Sequence, residues 1–264
     1  MLEKNGVRIA AVSYDSQEAL KSFANQHGIG FPLLSDHDSA VIRRFGIFNA
    51  NIAPELRAHG VPHPVDYLVA PDGVLIRKYF VPNYQHRVTA SSVVLREFGG
   101  VAEETTVTIL RSGALTVELG LSGAKAFAGQ EIGFSAKFTL EPGWHIYGAP
   151  LPGDYTVTSI AFDDPKIIRQ SFDLPEATPM EIPALAEILP VYSGSFKALG
   201  SLLLKFPVDA GTAVLSGKLR FQQCSETVCE PPQTISFELP LTIERFMDAE
   251  RKKQVGAPAS NNVT

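Results

Sequence analysis

The sequence is poor in cysteine, holding only Cys224 and Cys229 in 264 residues. Two cysteines cannot frame a chain of this length with disulfides, and the core does not need them. With 45% hydrophobic and 19% charged residues, the composition supports an ordinary core, and the length suggests two domains. The sequence also lacks an excess of positive charge. A formal net charge of -5 and a pI near 5.7 leave no basic face to neutralise phosphates, so nucleic acid is a poor partner. Long apolar runs are missing as well: stretches such as Ser201-Leu-Leu-Leu204 are strand-sized, well short of the roughly 18 residues of a membrane helix, and no membrane insertion is expected. The start, Met1-Leu-Glu-Lys-Asn-Gly6, is mixed in charge and followed by only a short apolar run. It offers no export signal, so a cytoplasmic location is expected as written, with the periplasm the alternative if a longer precursor exists. No internal repeat stands out. His27, His37, His59, His63 and His86 lack helical i, i+4 spacing and companion cysteines, so neither a metal nor another cofactor is expected.

What is present changes texture along the chain. Residues 7–12 form a short β-branched run, and Ser16 opens a helical pattern carrying Ala19, Leu20, Phe23 and Ala24 on one side. The alternation repeats with a short strand at 31–34 and a helix at 39–45 closed by Gly46. Residues 67–80 read as a β-hairpin around Pro71-Asp-Gly73, and a last helix spans about 89–97. Alternation of this kind predicts an α/β domain over residues 1–100. The Gly99-Gly100 and Glu103-Glu104 pairs mark a boundary. Beyond it, strand patterns at 105–110, 114–121, 132–140, 201–208, 214–222 and 234–243, punctuated by Gly and Pro, predict an antiparallel sandwich over 104–246. Residues 247–264 are polar and aperiodic and read as a disordered tail.

The first domain resembles a redoxin of the peroxiredoxin (AhpC/TSA) type. The resemblance rests on Val12-Ser-Tyr-Asp-Ser16, Phe31-Pro-Leu-Leu-Ser-Asp36, Arg44-Phe-Gly46, Gly60-Val-Pro-His-Pro64 and Pro71-Asp-Gly73. It implies a thioredoxin-like fold with a cis proline before the hairpin, for which His63-Pro64 is the candidate bond. Redoxins carry their reactive cysteine upstream of the Val-Ser-Tyr-Asp segment, whereas residues 1–223 of this chain hold no cysteine. The domain is therefore expected to be incomplete and to lack peroxidase activity, which needs a thiolate. It is either part of a longer chain or a redoxin that has lost its active half, and the first is favoured because the resemblance begins in mid-fold. Unpaired sheet edges and exposed apolar surface should follow.

The most informative stretch is Phe221-Gln-Gln-Cys224-Ser-Glu-Thr-Val-Cys229-Glu-Pro-Pro232. Its cysteines have four residues between them, at the end of one strand and before the next, close enough for a tight loop to join them. Together with Val191-Tyr192, Phe206-Pro-Val208 and Pro142-Gly-Trp-His-Ile-Tyr-Gly148, it is similar to the amino-terminal domain of the thiol:disulfide interchange protein DsbD. The resemblance implies an immunoglobulin-like sandwich, with Cys224 and Cys229 as the exchanging pair. It also implies Tyr147, and less directly His145, as neighbours that shield or orient them. The expected whole is an incomplete α/β thioredoxin-like domain followed by an all-β immunoglobulin-like sandwich. Its expected activity is that of a thiol–disulfide oxidoreductase of antioxidant type, relaying electrons to or from a thioredoxin-like redox protein. Glu226 and Glu230 flank the sulfurs and should disfavour thiolate, which suits a passive relay. The alternative is a non-catalytic binding module in which the pair is a structural disulfide.

Overall fold

The structure is a computed structural model that describes residues 2–56, 58–80, 86–99, 107–182 and 187–245. The chain forms two compact units, Met1–Ala90 and Ser91–Thr264. After a single 3-10 turn at Glu3–Asn5, the first unit runs β1 (Ala11–Ser13), α1 (Gln17–His27), β2 (Leu33–Ser35), α2 (Ala40–Arg44), β3 (Val65–Val69), β4 (Leu75–Phe80) and β5 (Arg87–Val88). This is the α/β order that the alternating pattern predicts, in line with the thioredoxin-like fold that the redoxin resemblance implies. Ser16 caps α1 by accepting from Ala19 N at 3.2 Å, and Gly28 ends the helix in the left-handed region. Buried Asp36 takes the backbone N–H groups of Val41 and Ile42 at 3.0 and 2.8 Å, satisfying donors at the start of α2.

Strands β1 to β4 form two separate ribbons, parallel β1–β2 and antiparallel β3–β4. Its buried apolar side chains are few: Leu20, Ile42 and Tyr79 among the described residues. Meanwhile Leu34, Phe45, Val69, Val74, Leu75 and Ile76 are each more than half exposed. The unpaired edges and exposed apolar surface expected of an incomplete redoxin are therefore present. The proline expectation fails. The cis bonds among the described residues are Ala149–Pro150 and Phe206–Pro207, so His63–Pro64 is trans. Pro62 bridges to Phe48 and His63 N donates to Ile47 O at 2.7 Å, which carries the chain extended straight into β3.

The second unit opens with α3 (Ala90–Phe98), the helix that the sequence pattern assigns to the end of the first domain. Packing explains the difference. Leu95 is buried against Gly133, Ser92 Oγ donates to Glu131 O, and Arg96 shares the buried Glu131 carboxylate with Arg169. The break thus precedes α3 rather than following it at residues 100–104. Residues 247–264, read above as a disordered tail, lie outside the described residues.

The strands that follow are β6 (Val107–Ser112), β7 (Leu115–Leu121), β8 (Lys125–Phe127), β9 (Gln130–Leu140), β10 (His145–Tyr147), β11 (Ser159–Phe162), β12 (Ile167–Asp173), β13 (Thr178–Ile182), β14 (Glu187–Ser193), β15 (Ser195–Leu204), β16 (Gly211–Phe221), β17 (Gln223–Cys224) and β18 (Gln233–Glu244). They make an immunoglobulin-like sandwich from sheets ordered β12-β15-β9-β7-β6 and β11-β16-β18-β8, with a smaller sheet β13-β14-β10-β17. Strands answer all six patterns read from the sequence, although β15 ends at Leu204 within the pattern at 201–208, and the clearest of them bury alternate residues. On β7 these are Leu115, Val117, Leu119 and Leu121; on β18 they are Phe237, Leu239, Leu241 and Ile243. Phe134 meets Phe162 edge to face with centroids 5.0 Å apart, joining two sheets through one aromatic cluster.

Candidate redox site

The smaller sheet brings the four sequence-predicted residues together. In β10 the residues at 145 and 147 share one face, since side chains alternate along a strand. Beside it, β17 pairs in register, with His145 opposite Cys224 and Ile146 opposite Gln223. After Cys224 the chain turns back through Ser225-Glu-Thr-Val228, and Cys229 bridges antiparallel to Cys224 with Cα atoms 4.1 Å apart. Ser225 N donates to Val228 O at 2.7 Å, and Ser225 Oγ accepts from Val228 N at 3.1 Å, so one serine closes the turn from both sides. The two cysteines form a disulfide across this turn.

The two cysteines differ in access. Cys224 is only 1% exposed, whereas Cys229 lies exposed at the surface with Val228 beside it. Tyr147, fully buried, donates its hydroxyl to Cys224 Sγ at 3.3 Å and lies 3.6 Å from Cys229 Sγ. Ile182, Leu189 and Val191 complete an apolar wall around it, with Leu151 and Tyr155 packed outside. Burial, then the nearby Tyr155 and Glu187, push the Tyr147 hydroxyl above its ordinary pKa, so it keeps its proton and stays a donor. The Tyr155 hydroxyl donates to Glu187 at 3.4 Å, and its ring sits 5.2 Å from that of Tyr147. His145 is 4% exposed, and its ring meets Tyr147 edge-on at 5.6 Å.

A polar clamp that sequence reasoning missed holds the base of the loop. One Glu230 carboxylate oxygen accepts from Gln223 Nε2 and from Gln233 Nε2, each at 2.7 Å, and Gln222 Nε2 donates to Glu230 O at 3.1 Å. Glu230 is therefore bound to its two glutamine partners, where the sequence reading had it as a charge acting on the sulfurs. Ser112 Oγ in turn donates to Gln233 Oε1, tying β6 to the loop. Gly113 makes room for the clamp. Any Cβ there would overlap the Gln223 side chain, and its φ of 54° is in the left-handed region. The pattern Gln-Gln-Cys…Cys-Glu is visible in the sequence, but nothing in it says which amide reaches the carboxylate. Tyr155 lies in an aperiodic stretch and gave no signal.

The comparisons with known proteins divide as the fold does. Residues 1–78 match the AhpC/TSA family, and residues 120–241 match the family described as thiol:disulfide interchange protein DsbD, N-terminal. Peroxiredoxin Bcp of Escherichia coli K12 is 33% identical over 72 residues, which are 27% of this chain and 46% of that protein. The chain thus spans about half the length of the curated relatives it matches. Among solved structures, the N-terminal periplasmic domain of ScsB from Proteus mirabilis is similar with a TM-score of 0.38 at 16% identity, covering 55% of this chain and 56% of that one. The Neisseria meningitidis DsbD n-terminal domain in the reduced form gives a TM-score of 0.29 at 20% identity, over 42% and 78%. No helix among the described residues is long and apolar enough to cross a membrane. The chain is thus similar to the AhpC/TSA family over residues 1–78 and to the DsbD amino-terminal family over residues 120–241, the second match enclosing the Cys224–Cys229 disulfide, and the two matches support a thiol–disulfide redox role.

Proposed function

We propose that the Cys224–Cys229 pair relays electrons to or from a thioredoxin-like partner. The observation that carries this reading is the asymmetry of access: one cysteine is exposed at a hairpin turn, the other buried under a hydroxyl donor. A partner thiolate attacks Cys229 Sγ, a new sulfur–sulfur bond forms, and Cys224 Sγ leaves with the electron pair. Tyr147 donates a hydrogen bond to that leaving thiolate, which then takes up a proton. The partner's second thiolate attacks its own first sulfur and releases Cys229, so two electrons have passed from a dithiol to the disulfide. Run backwards, the same steps oxidise the pair and reduce a partner disulfide. The first unit has no cysteine to add, and we assign no peroxidase activity to this chain.

A purely structural bridge is a poorer account of the same geometry. The cysteines are separated by 5 positions, and closing so short a loop stabilises by only about 2 kcal/mol in loop-closure entropy. Trapping separates the two readings. A thioredoxin lacking its resolving cysteine and activated as an aromatic mixed disulfide should be captured by the Cys224→Ser variant, whose free sulfur is Cys229. The Cys229→Ser variant should react at least about 100-fold more slowly, as buried thiols do. Equal capture by both variants, or by neither, contradicts the relay.

A further inference from the structure

His145, opposed to Cys224, is a neighbour of the pair whose hydrogen bonding is incomplete. Its Nε2 is buried and has no hydrogen-bond partner among the described residues. A buried polar atom left in this condition is destabilising, so it calls for an explanation. Register supplies one. His145 and Cys224 are directly opposed in an antiparallel pair, which sets their Cβ atoms about 5 Å apart on one face. That face is confirmed by Tyr147, two residues along the strand, whose hydroxyl reaches Cys224 Sγ at 3.3 Å. The other groups facing the imidazole are Ser193, opposed on β14, and the Tyr147 ring, behind which lie Tyr155 and Glu187.

In the disulfide the Cys224 sulfur carries no proton and can only accept, and it accepts from Tyr147. In that state no described group donates to the imidazole Nε2. When a partner dithiol delivers two electrons and two protons, the sulfur–sulfur bond breaks and each sulfur becomes an S–H group. Cys224 Sγ is then free to turn about χ1 away from Cys229 into another staggered position. From the opposed registry and the orphaned nitrogen we infer that His145 Nε2 accepts the Cys224 S–H hydrogen bond in the reduced protein, so His145 is a positioning residue that favours the dithiol. Burial pushes the imidazole below its ordinary pKa, which keeps it neutral with a lone pair available.

This inference rests on the pair being cycled, and its test is separable from that of the relay. The intact chain and its His145→Phe and His145→Gln variants are equilibrated with glutathione buffers, and free thiols are counted by alkylation. His145→Phe keeps a ring but loses the acceptor. It should shift the equilibrium about tenfold toward the disulfide, a potential about 30 mV more negative. His145→Gln, whose amide oxygen can accept, should stay within about threefold of wild type. If His145→Phe does not fold, His145→Leu gives the same reading through a smaller apolar side chain. An acceptor-free variant within twofold of wild type overturns the inference, as does a glutamine variant shifted as far as the phenylalanine one. The wild-type potential itself judges the relay, while the difference between variants judges His145 whatever that potential is.

Discussion

The two units use similar sequence materials to opposite ends. Both carry short β-branched runs, but in the first unit these form two-stranded ribbons whose apolar side chains, Val74, Leu75 and Ile76 among them, stand in solvent. In the second, strands of up to 12 residues such as β18 stack alternate side chains between sheets, and Val117, Ala136 and Phe138 have no exposed surface. A two-stranded ribbon is marginal alone, whereas a multi-stranded sheet with a buried face is stable. The redox pair belongs to the unit that can hold geometry. Its loop leaves β17 at the edge of the small sheet, is clamped at Glu230 and is roofed by Tyr147, so exchange chemistry is built on a rigid support.

The largest expected effect is on chemistry. Cys229→Ser should abolish exchange completely while lowering the stability of the sandwich by only about 2 kcal/mol in a denaturant melt; retained exchange would show that another group carries it. Next comes packing. Phe138→Ala, in the dry core, should cost roughly 3–5 kcal/mol, while Val74→Ala, 60% exposed in the first unit, should change stability by less than about 0.5 kcal/mol. Equal costs would erase the distinction between the units. Hydrogen exchange on the intact chain sharpens it: amides of β1–β4 should exchange at least about 100-fold faster than those of β9, β16 and β18.

Two smaller effects concern the site. Tyr147→Phe removes the donor to the leaving sulfur and should slow exchange about tenfold with little change in melting, since a hydrogen bond to a charged group is worth roughly 1.5–3 kcal/mol. An unchanged rate would reduce Tyr147 to a shield. His145 has the smallest effect and links the site to pH. Its pKa is depressed on folding, so below the unfolded value of about 6.5 the unfolded chain binds the extra proton. Its contribution to stability is present above that pH and is lost as pH falls through it. Melts at pH 7.5 and 5 should show wild type losing more stability on acidification than His145→Phe; equal losses would mean the imidazole titrates freely.

How much of this was legible depended on length and period. Strands β7, β16 and β18 announce themselves because alternate burial over seven or more residues leaves a pattern, as in Leu115-Thr-Val-Glu-Leu. The strands of the small sheet do not. His145, Ile146 and Tyr147 are all buried, so β10 shows no alternation, and β17 is two residues long. Cys224 and Cys229 were found from their spacing, and Tyr147 and His145 only through resemblance. The docking of α3 was misread because its buried face, Ser92, Val94 and Leu95, looks the same from the sequence whichever unit covers it. The glutamine clamp was not legible, since Ser112 and Gln233 meet across 121 positions.

The central claim is that the pair is exchanged rather than merely kept, and its reduction potential tests this most directly. With the intact chain equilibrated in glutathione buffers and its thiols trapped, the account predicts a reversible transition between about -180 and -270 mV, the range of exchange-competent dithiols. A value below about -300 mV, where structural disulfides lie, would contradict it and leave Cys224–Cys229 as a staple in a binding module.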